Sequence, residues 1–174
     1  MKKILTATFF AVALVSSITT MAQAAQEDKS KRPSPPATFK TTLSGANITI
    51  DYSQPSVKGR TIGKEIAPYG QVWRTGANEA TTFEVNKDVK IEGKDLKAGK
   101  YGLFTIPGEN EWVIIFNNEP NQWGAFKYDA SKDVLRVTVK PTKAPSFTEQ
   151  MTFTNRNGKV ALLWGNTEVD FSVK

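Results

Sequence analysis

The chain has 174 residues, 23 Lys and Arg against 17 Asp and Glu, a formal charge of +6, and neither histidine nor cysteine. Those two absences remove disulfides, a lipid-modified N-terminal cysteine, thiolate and imidazole metal sites, and every Ser-His-Asp or Cys-His catalytic arrangement. Basic residues such as Lys58, Arg60, Lys87, Lys90 and Lys97 are interleaved with Glu84, Asp88, Glu92 and Asp95; with no single-sign face or recognised motif, no nucleic-acid partner is expected.

Lys2 and Lys3, the apolar run 4–15 and the small residues Ala22-Gln23-Ala24 have the order of a secretory signal. The run is too short for a permanent membrane span. Residues 1–25 are therefore expected to be a cleaved signal peptide, the mature protein to be periplasmic or secreted, and no stable membrane anchor to remain. Losing Lys2 and Lys3 lowers the formal charge from +6 to +4. Roughly 150 residues remain, one domain by size, and a chain of that length buries about 68–70% of its unfolded surface.

Residues 26–37 are polar and proline-rich, the composition of a flexible or extended leader. From Thr38 to the C-terminus the pattern is that of a single all-β domain, residues 38–174. Phe39, Thr41 and Leu43, then Ile48, Ile50 and Tyr52, alternate around Ser44-Gly45 and predict a hairpin. Pro55 ends that run, since proline has no donor for a central strand. Strands are predicted over 81–85, 89–91 and 100–106, with 95–99 as a connection. The nearly continuous apolar run 111–116 predicts a strand buried on both faces. Residues 117–132 form a second long loop, after the one that follows Pro55. Strands resume over 134–139 and 148–154, and Asn157-Gly158 is a strong hairpin signal leading into 159–164. Val169, Phe171 and Val173 alternate to finish. Eight or nine short strands with two long loops predict an antiparallel β-sandwich or a jelly-roll-like barrel.

The densest polar chemistry lies in Tyr69-Gly70-Gln71-Val72-Trp73-Arg74-Thr75-Gly76-Ala77-Asn78-Glu79-Ala80-Thr81-Thr82-Phe83. Arg60 and Arg74 each offer a planar fork to a carboxylate or phosphate. Asn78 and Gln122 offer paired donors and acceptors, and Tyr69, Trp73, Trp123 and Tyr128 offer rings on which a sugar could stack. The ligand-binding set is thus Arg60, Tyr69, Arg74, Asn78, Glu79, Gln122 and Trp123. Each has a plainer role open to it: Arg74, Asn78 and Glu79 can equally lock the loop, and Trp73 suits a sandwich core.

Glu79 is the best candidate for a catalytic carboxylate, with Asp51, Glu65 or Asp129 as a second group. No phosphate loop, dinucleotide fingerprint or calcium loop is present, so no cofactor and no metal site are expected.

Ser53-Gln54-Pro55-Ser56-Val57-Lys58-Gly59-Arg60, Pro68-Tyr69-Gly70 and Val72-Trp73-Arg74-Thr75-Gly76-Ala77-Asn78-Glu79-Ala80-Thr81 resemble the signature of domain-of-unknown-function family 2911. So do Ala98-Gly99-Lys100-Tyr101-Gly102-Leu103-Phe104-Thr105-Ile106-Pro107 and Gln122-Trp123-Gly124. The resemblance runs from about Ser34 to the C-terminus. It implies an exported protein of Gram-negative bacteria, without an established activity. Many members carry a histidine just after the N-terminal Arg-Pro stretch; Arg32-Pro33-Ser34-Pro35-Pro36 has none, so any role of that histidine has no bearer here.

Three readings follow from these residues. A binding module for a small anionic or sugar-like ligand requires Arg60, Arg74 and Gln122 to converge on a pocket. A carboxylate-dependent hydrolase requires Glu79 near a second acid in an open cleft. A structural domain of the cell envelope requires an exposed apolar patch or a bare sheet edge.

Overall fold

The computed structural model describes residues 28–174. The expected signal peptide lies outside the described residues. The described residues form ten strands in antiparallel sheets that do not close into a barrel, so the sandwich alternative is the fold.

The larger sheet contains β1 (Pro36–Leu43), β2 (Ala46–Ser53), β3 (Thr82–Val85), β6 (Gly99–Ile106), β7 (Trp112–Asn117) and β8 (Asp133–Val139), in the order β1-β2-β3-β6-β7-β8. Facing it are β9 (Thr142–Arg156) and β10 (Lys159–Ser172), with the small hairpin β4 (Val89–Ile91) and β5 (Lys94–Leu96). Reciprocal bonds between Lys90 and Lys174, from N to O at 2.6 and 3.0 Å, fasten that hairpin alongside the end of β10. The hairpins β1-β2, β4-β5 and β9-β10 turn at Ser44-Gly45, Glu92-Gly93 and Asn157-Gly158, where both central residues have positive φ. Such turns carry the right-handed twist of the strands they join, which is why glycine follows in each.

Between the layers lies one core in which Ile48, Ile50, Phe83, Leu103, Phe116, Met151, Phe153, Trp164 and Phe171 are almost wholly buried. Trp73 joins it: its ring stacks on Trp164 at 5.3 Å and 10° and meets Trp112 edge-on at 6.2 Å. A second cluster, Ala80, Phe104 and Ile115, sits on the opposite face of the larger sheet beneath Val72, Ala125 and Tyr128. The apolar run at β7 therefore has the expected cause. Trp112, Ile114 and Phe116 face the main core, while Ile115 is covered by the second long loop.

Several boundaries differ from the sequence-based expectation. β5 occupies part of the stretch read as a connection; Lys94 and Asp95 are exposed and only Leu96 is buried, so no apolar alternation marks it. β9 begins at Thr142, well before residue 148, because Pro145 sits in a strand paired on its other flank only by the short bridge of Ser56 with Gln150. β10 runs unbroken through Gly165, its register shifting on either side of that residue, where two strands had been expected.

The leader is corrected over residues 28–37. Asp28 caps a short 3-10 turn, Lys29–Lys31, by accepting a hydrogen bond from Ser30 N, and β1 starts at Pro36 rather than Thr38. Gln54 N donates to Pro35 O at 2.9 Å and Asn78 Nδ2 to Ser34 O at 3.0 Å. The proline-rich stretch is an arm fastened across the domain by its own carbonyls.

Candidate functional site

The two long loops are joined to each other. Ala80 N donates to Gln122 O at 2.9 Å and Gly124 N to Asn78 O at 3.0 Å, with Glu79 and Trp123 as the bridged pair between. The first loop is in turn held along β6, where Trp73 and Thr105 exchange backbone bonds of 2.7 and 2.9 Å. Thr81 Oγ1 closes it by donating to Thr75 O at 2.8 Å.

The second loop is anchored at its far end. Asn117 Nδ2 donates to Asp129 O at 3.0 Å and to Asp133 Oδ1 at 2.7 Å. Tyr128 donates its hydroxyl to Asp133 Oδ2 at 2.6 Å and accepts from Arg136 Nη2 at 2.7 Å. Burial, followed by the hydrogen bond to the Asp133 carboxylate and its charge, pushes the Tyr128 hydroxyl up to about 12. Both loops are thus built against the sheet.

Beside their junction opens a cleft of 570 Å³. One wall is the ends of β1 and β2, with Ala37, Thr38, Asp51 and Tyr52; the other is Asn121, Gln122 and Trp123. Glu79, Ala80, Thr82 and Lys100 also line it, and Lys29 reaches in from the arm. Trp123 is 54% exposed. Two buried polar atoms of the lining residues have no hydrogen-bond partner, Gln122 Oε1 and Thr82 Oγ1. Gln122 Nε2 is already committed to Glu119 O at 2.8 Å, which fixes the amide so that only its oxygen remains unpaired.

The carboxylates of the cleft are each met by cations. Glu79 accepts from Lys29 Nζ at 2.8 Å and from Arg32 Nη1 at 2.9 and 3.1 Å. Burial pushes its carboxyl up, but Lys29, a backbone hydrogen bond and the Arg32 charge outweigh that and hold it below the usual value. Asp51 accepts from Thr38 Oγ1 at 2.7 Å and lies 3.9 Å from Lys100 Nζ. Two carboxylates and two ammonium groups share the lining, and the Arg32 guanidinium beside Glu79 and Trp123 adds a third positive charge.

Of the residues expected to bind a ligand, Glu79, Gln122 and Trp123 meet in the cleft. Asn78 is behind it, tying the arm to the first loop. Arg74 donates from Nη1 to Asn78 O at 2.8 Å, and burial pulls its guanidinium below its ordinary value. Arg60 donates to Ser56 O at 2.7 Å and to Val57 O at 3.2 Å, closing its own loop beside β9. Tyr69 lines a separate depression of 190 Å³ with Ile62 and Glu109. The expected convergence of Arg60, Arg74 and Gln122 does not occur. Both guanidiniums are spent on loop carbonyls, which a planar multidonor group satisfies as readily as it would an anion.

The sequence reading missed Thr82, Lys100, Asn121 and Lys29 as lining residues. Thr82 and Lys100 had a usable signal in their place on adjacent strands next to the polar loop, but Lys29 had none, being in a segment read as leader. Asp51, named only as a distant second carboxylate, does share the cleft with Glu79.

No group of three or more acidic side chains suited to a metal ion occurs among the described residues, and no helix among them is long and apolar enough to cross a membrane. No curated protein and no solved structure matches the chain. A family described only as proteins of unknown function, DUF2911, matches residues 34–173, which takes in the signature loop, both walls of the cleft and every strand but the first residues of the arm. The chain belongs to that family, DUF2911.

Proposed function

We propose that the protein acts after export, in the periplasm or outside the cell, as a binding module for a neutral, sugar-like ligand held in the cleft beside Trp123. The observation that carries this reading is the exposed Trp123 indole on the wall of an open cleft lined by Asp51, Glu79, Asn121 and Gln122. The rest of the lining suits a polyol as well. Carboxylates and carboxamides accept from hydroxyls, and apolar ring faces take the C–H face of a sugar. The arginines that would have held an anion are occupied elsewhere.

The test is a thermal-shift and calorimetric screen of the signal-free chain against neutral sugars, anionic sugars, phosphates and dicarboxylates. A ligand at a hundredfold excess over Kd stabilises by about 2.7 kcal/mol, a rise of roughly 5–10 °C for a domain of this size. Neutral sugars should give that shift, and Trp123→Ala should abolish it while leaving the unliganded melting temperature nearly unchanged. Shifts confined to phosphates or dicarboxylates would overturn the assignment.

A second reading has one observation behind it: Asp51 and Glu79 line the same cleft, as hydrolysis by two carboxylates requires. The cations on Glu79 keep it ionised, so it would serve as nucleophile or base and not as the acid. Release of reducing ends from a bound oligosaccharide, lost in Asp51→Asn, is the measurement that would favour it.

A further inference from the structure

The loop that carries Trp123 carries a second aromatic ring outside the cleft, Phe126, which is 81% exposed. Lone exposed apolar side chains are ordinary, but this one is held in place. The Arg74 guanidinium lies over its ring at 5.9 Å, and Arg74 is itself fixed by Asn78 O. The ring also packs on Gly124, where an added Cβ would come within 3.0 Å of two ring carbons and 3.2 Å of Arg74 Nη1, at a φ of +67°. Trp123 is backed in the same way: the Arg32 guanidinium lies over it at 5.7 Å. Two neighbouring rings on one anchored loop are each backed by an arginine and each left largely exposed. Trp123 lines the cleft and Phe126 does not.

We propose that Trp123 and Phe126 are successive stacking positions for a polysaccharide chain, so that the ligand is a polymer leaving the cleft rather than a free sugar. This rests on the sugar-binding reading of the cleft and extends it. A monosaccharide in the cleft has no use for Phe126. A chain that stacks on Trp123 has a second exposed ring available three residues on in the same loop. The arginine over each ring holds it in one orientation through cation–π attraction, so little ordering remains for a ligand to impose. Hydroxyl-rich chains fit a cleft lined by carboxylates, a carboxamide and an indole, and a protein partner would want a continuous apolar patch rather than two separate rings.

The experiment titrates the signal-free chain with gluco-, xylo- and N-acetylglucosamine oligomers from monomer to hexamer, following tryptophan fluorescence and calorimetry, with light scattering for oligomeric state. In the series that binds, affinity should climb with length. Phe126→Ala should weaken the hexamer by about tenfold and leave the shortest binding oligomer within about twofold. Gly124→Ala, which displaces the Phe126 ring without deleting it, should act in the same direction. Trp123→Ala should weaken both lengths.

If affinity is independent of length and Phe126→Ala changes nothing, the extended site is wrong while the cleft reading stands. If no oligomer binds at any length, both fall. A dimer of the native chain that Phe126→Ala dissolves would assign the ring to self-association and overturn the polymer site.

Discussion

Arg32 grips Glu79 from the arm, with Nη1 2.9 Å from Oε2 and 3.1 Å from Oε1, and Lys29 Nζ takes Oε1 at 2.8 Å. The best candidate acid of the signature loop is thus paired by residues that composition alone assigns to a leader. That pairing makes the arm part of the cleft.

Replacing Lys29 and Arg32 together by alanine should raise the Glu79 carboxyl toward its ordinary value, as read by carboxyl NMR titration. Because the folded-state value lies below that of the unfolded chain, ionised Glu79 stabilises the fold above the usual carboxylate range. That contribution is lost as pH falls through the lowered folded-state value. Glu79→Gln should therefore cost stability at neutral pH and nothing in strong acid. The Lys29 and Glu79 side chains are 54% and 40% exposed, so the effect is about 0.2–1 kcal/mol and shrinks with salt. A cost that persists unchanged into acid would show that Glu79 acts through packing.

Trp73→Ala should destabilise the domain by about 3 kcal/mol, measured by urea unfolding, because the stacked contact with Trp164 and the edge contact with Trp112 both go. Trp73→Phe should cost about 1 kcal/mol, since a smaller ring keeps part of each contact. An unchanged midpoint in Trp73→Ala would remove this residue from the core.

Tyr128→Phe should loosen the second long loop at a cost of about 1 kcal/mol, by deleting the hydroxyl between Asp133 and Arg136. The neutral hydroxyl is the form the fold favours. Its contribution is complete below the unfolded tyrosine value and is lost as pH rises through about 12. Tyrosinate absorbance should show a late-titrating ring in the native chain that the variant lacks.

Gly102→Ala should destabilise by about 1–3 kcal/mol and also weaken ligand binding. A Cβ there would lie 2.8 Å from the Phe104 ring and 2.9 Å from Glu119 O, so the loop bearing Gln122 and Trp123 must lift from β6. Stability and affinity falling together, with Gly158→Ala affecting stability alone, would show that the loop's seat matters to the site. Nothing lies near an added Cβ at Gly158.

Where the sequence was legible, the cause was local. The hairpin at Ser44-Gly45, the turn at Asn157-Gly158 and the apolar run of β7 follow from neighbouring residues, as does the wholly antiparallel sandwich. β5 and the first half of β9 were illegible because their residues are mostly exposed, so strand pairing there leaves no alternation. In the site, Glu79, Gln122 and Trp123 were found because the loops concentrate polar and aromatic groups. Arg60 and Arg74 misled because a guanidinium's partner, whether loop carbonyl or ligand anion, is decided by a fold that the residue type does not encode. Lys29 was beyond reach, and Asp51 could be named but not singled out from Glu65 and Asp129, because only the long-range packing of arm, β2 and loop brings them together.

The bonds between Lys90 and Lys174 bear on how quickly this fold can form. They join the middle of the chain to its last described residue, and with the Ile91–Val173 bridge and the bond from Glu92 N to Ser172 O they seat β4 and β5 in the facing layer. The entropy of closing so long a loop is lost before any contact compensates it, which puts folding on the order of milliseconds to seconds. Until Val173 and Lys174 arrive, the Val89, Ile91 and Leu96 side chains have no finished layer to enter.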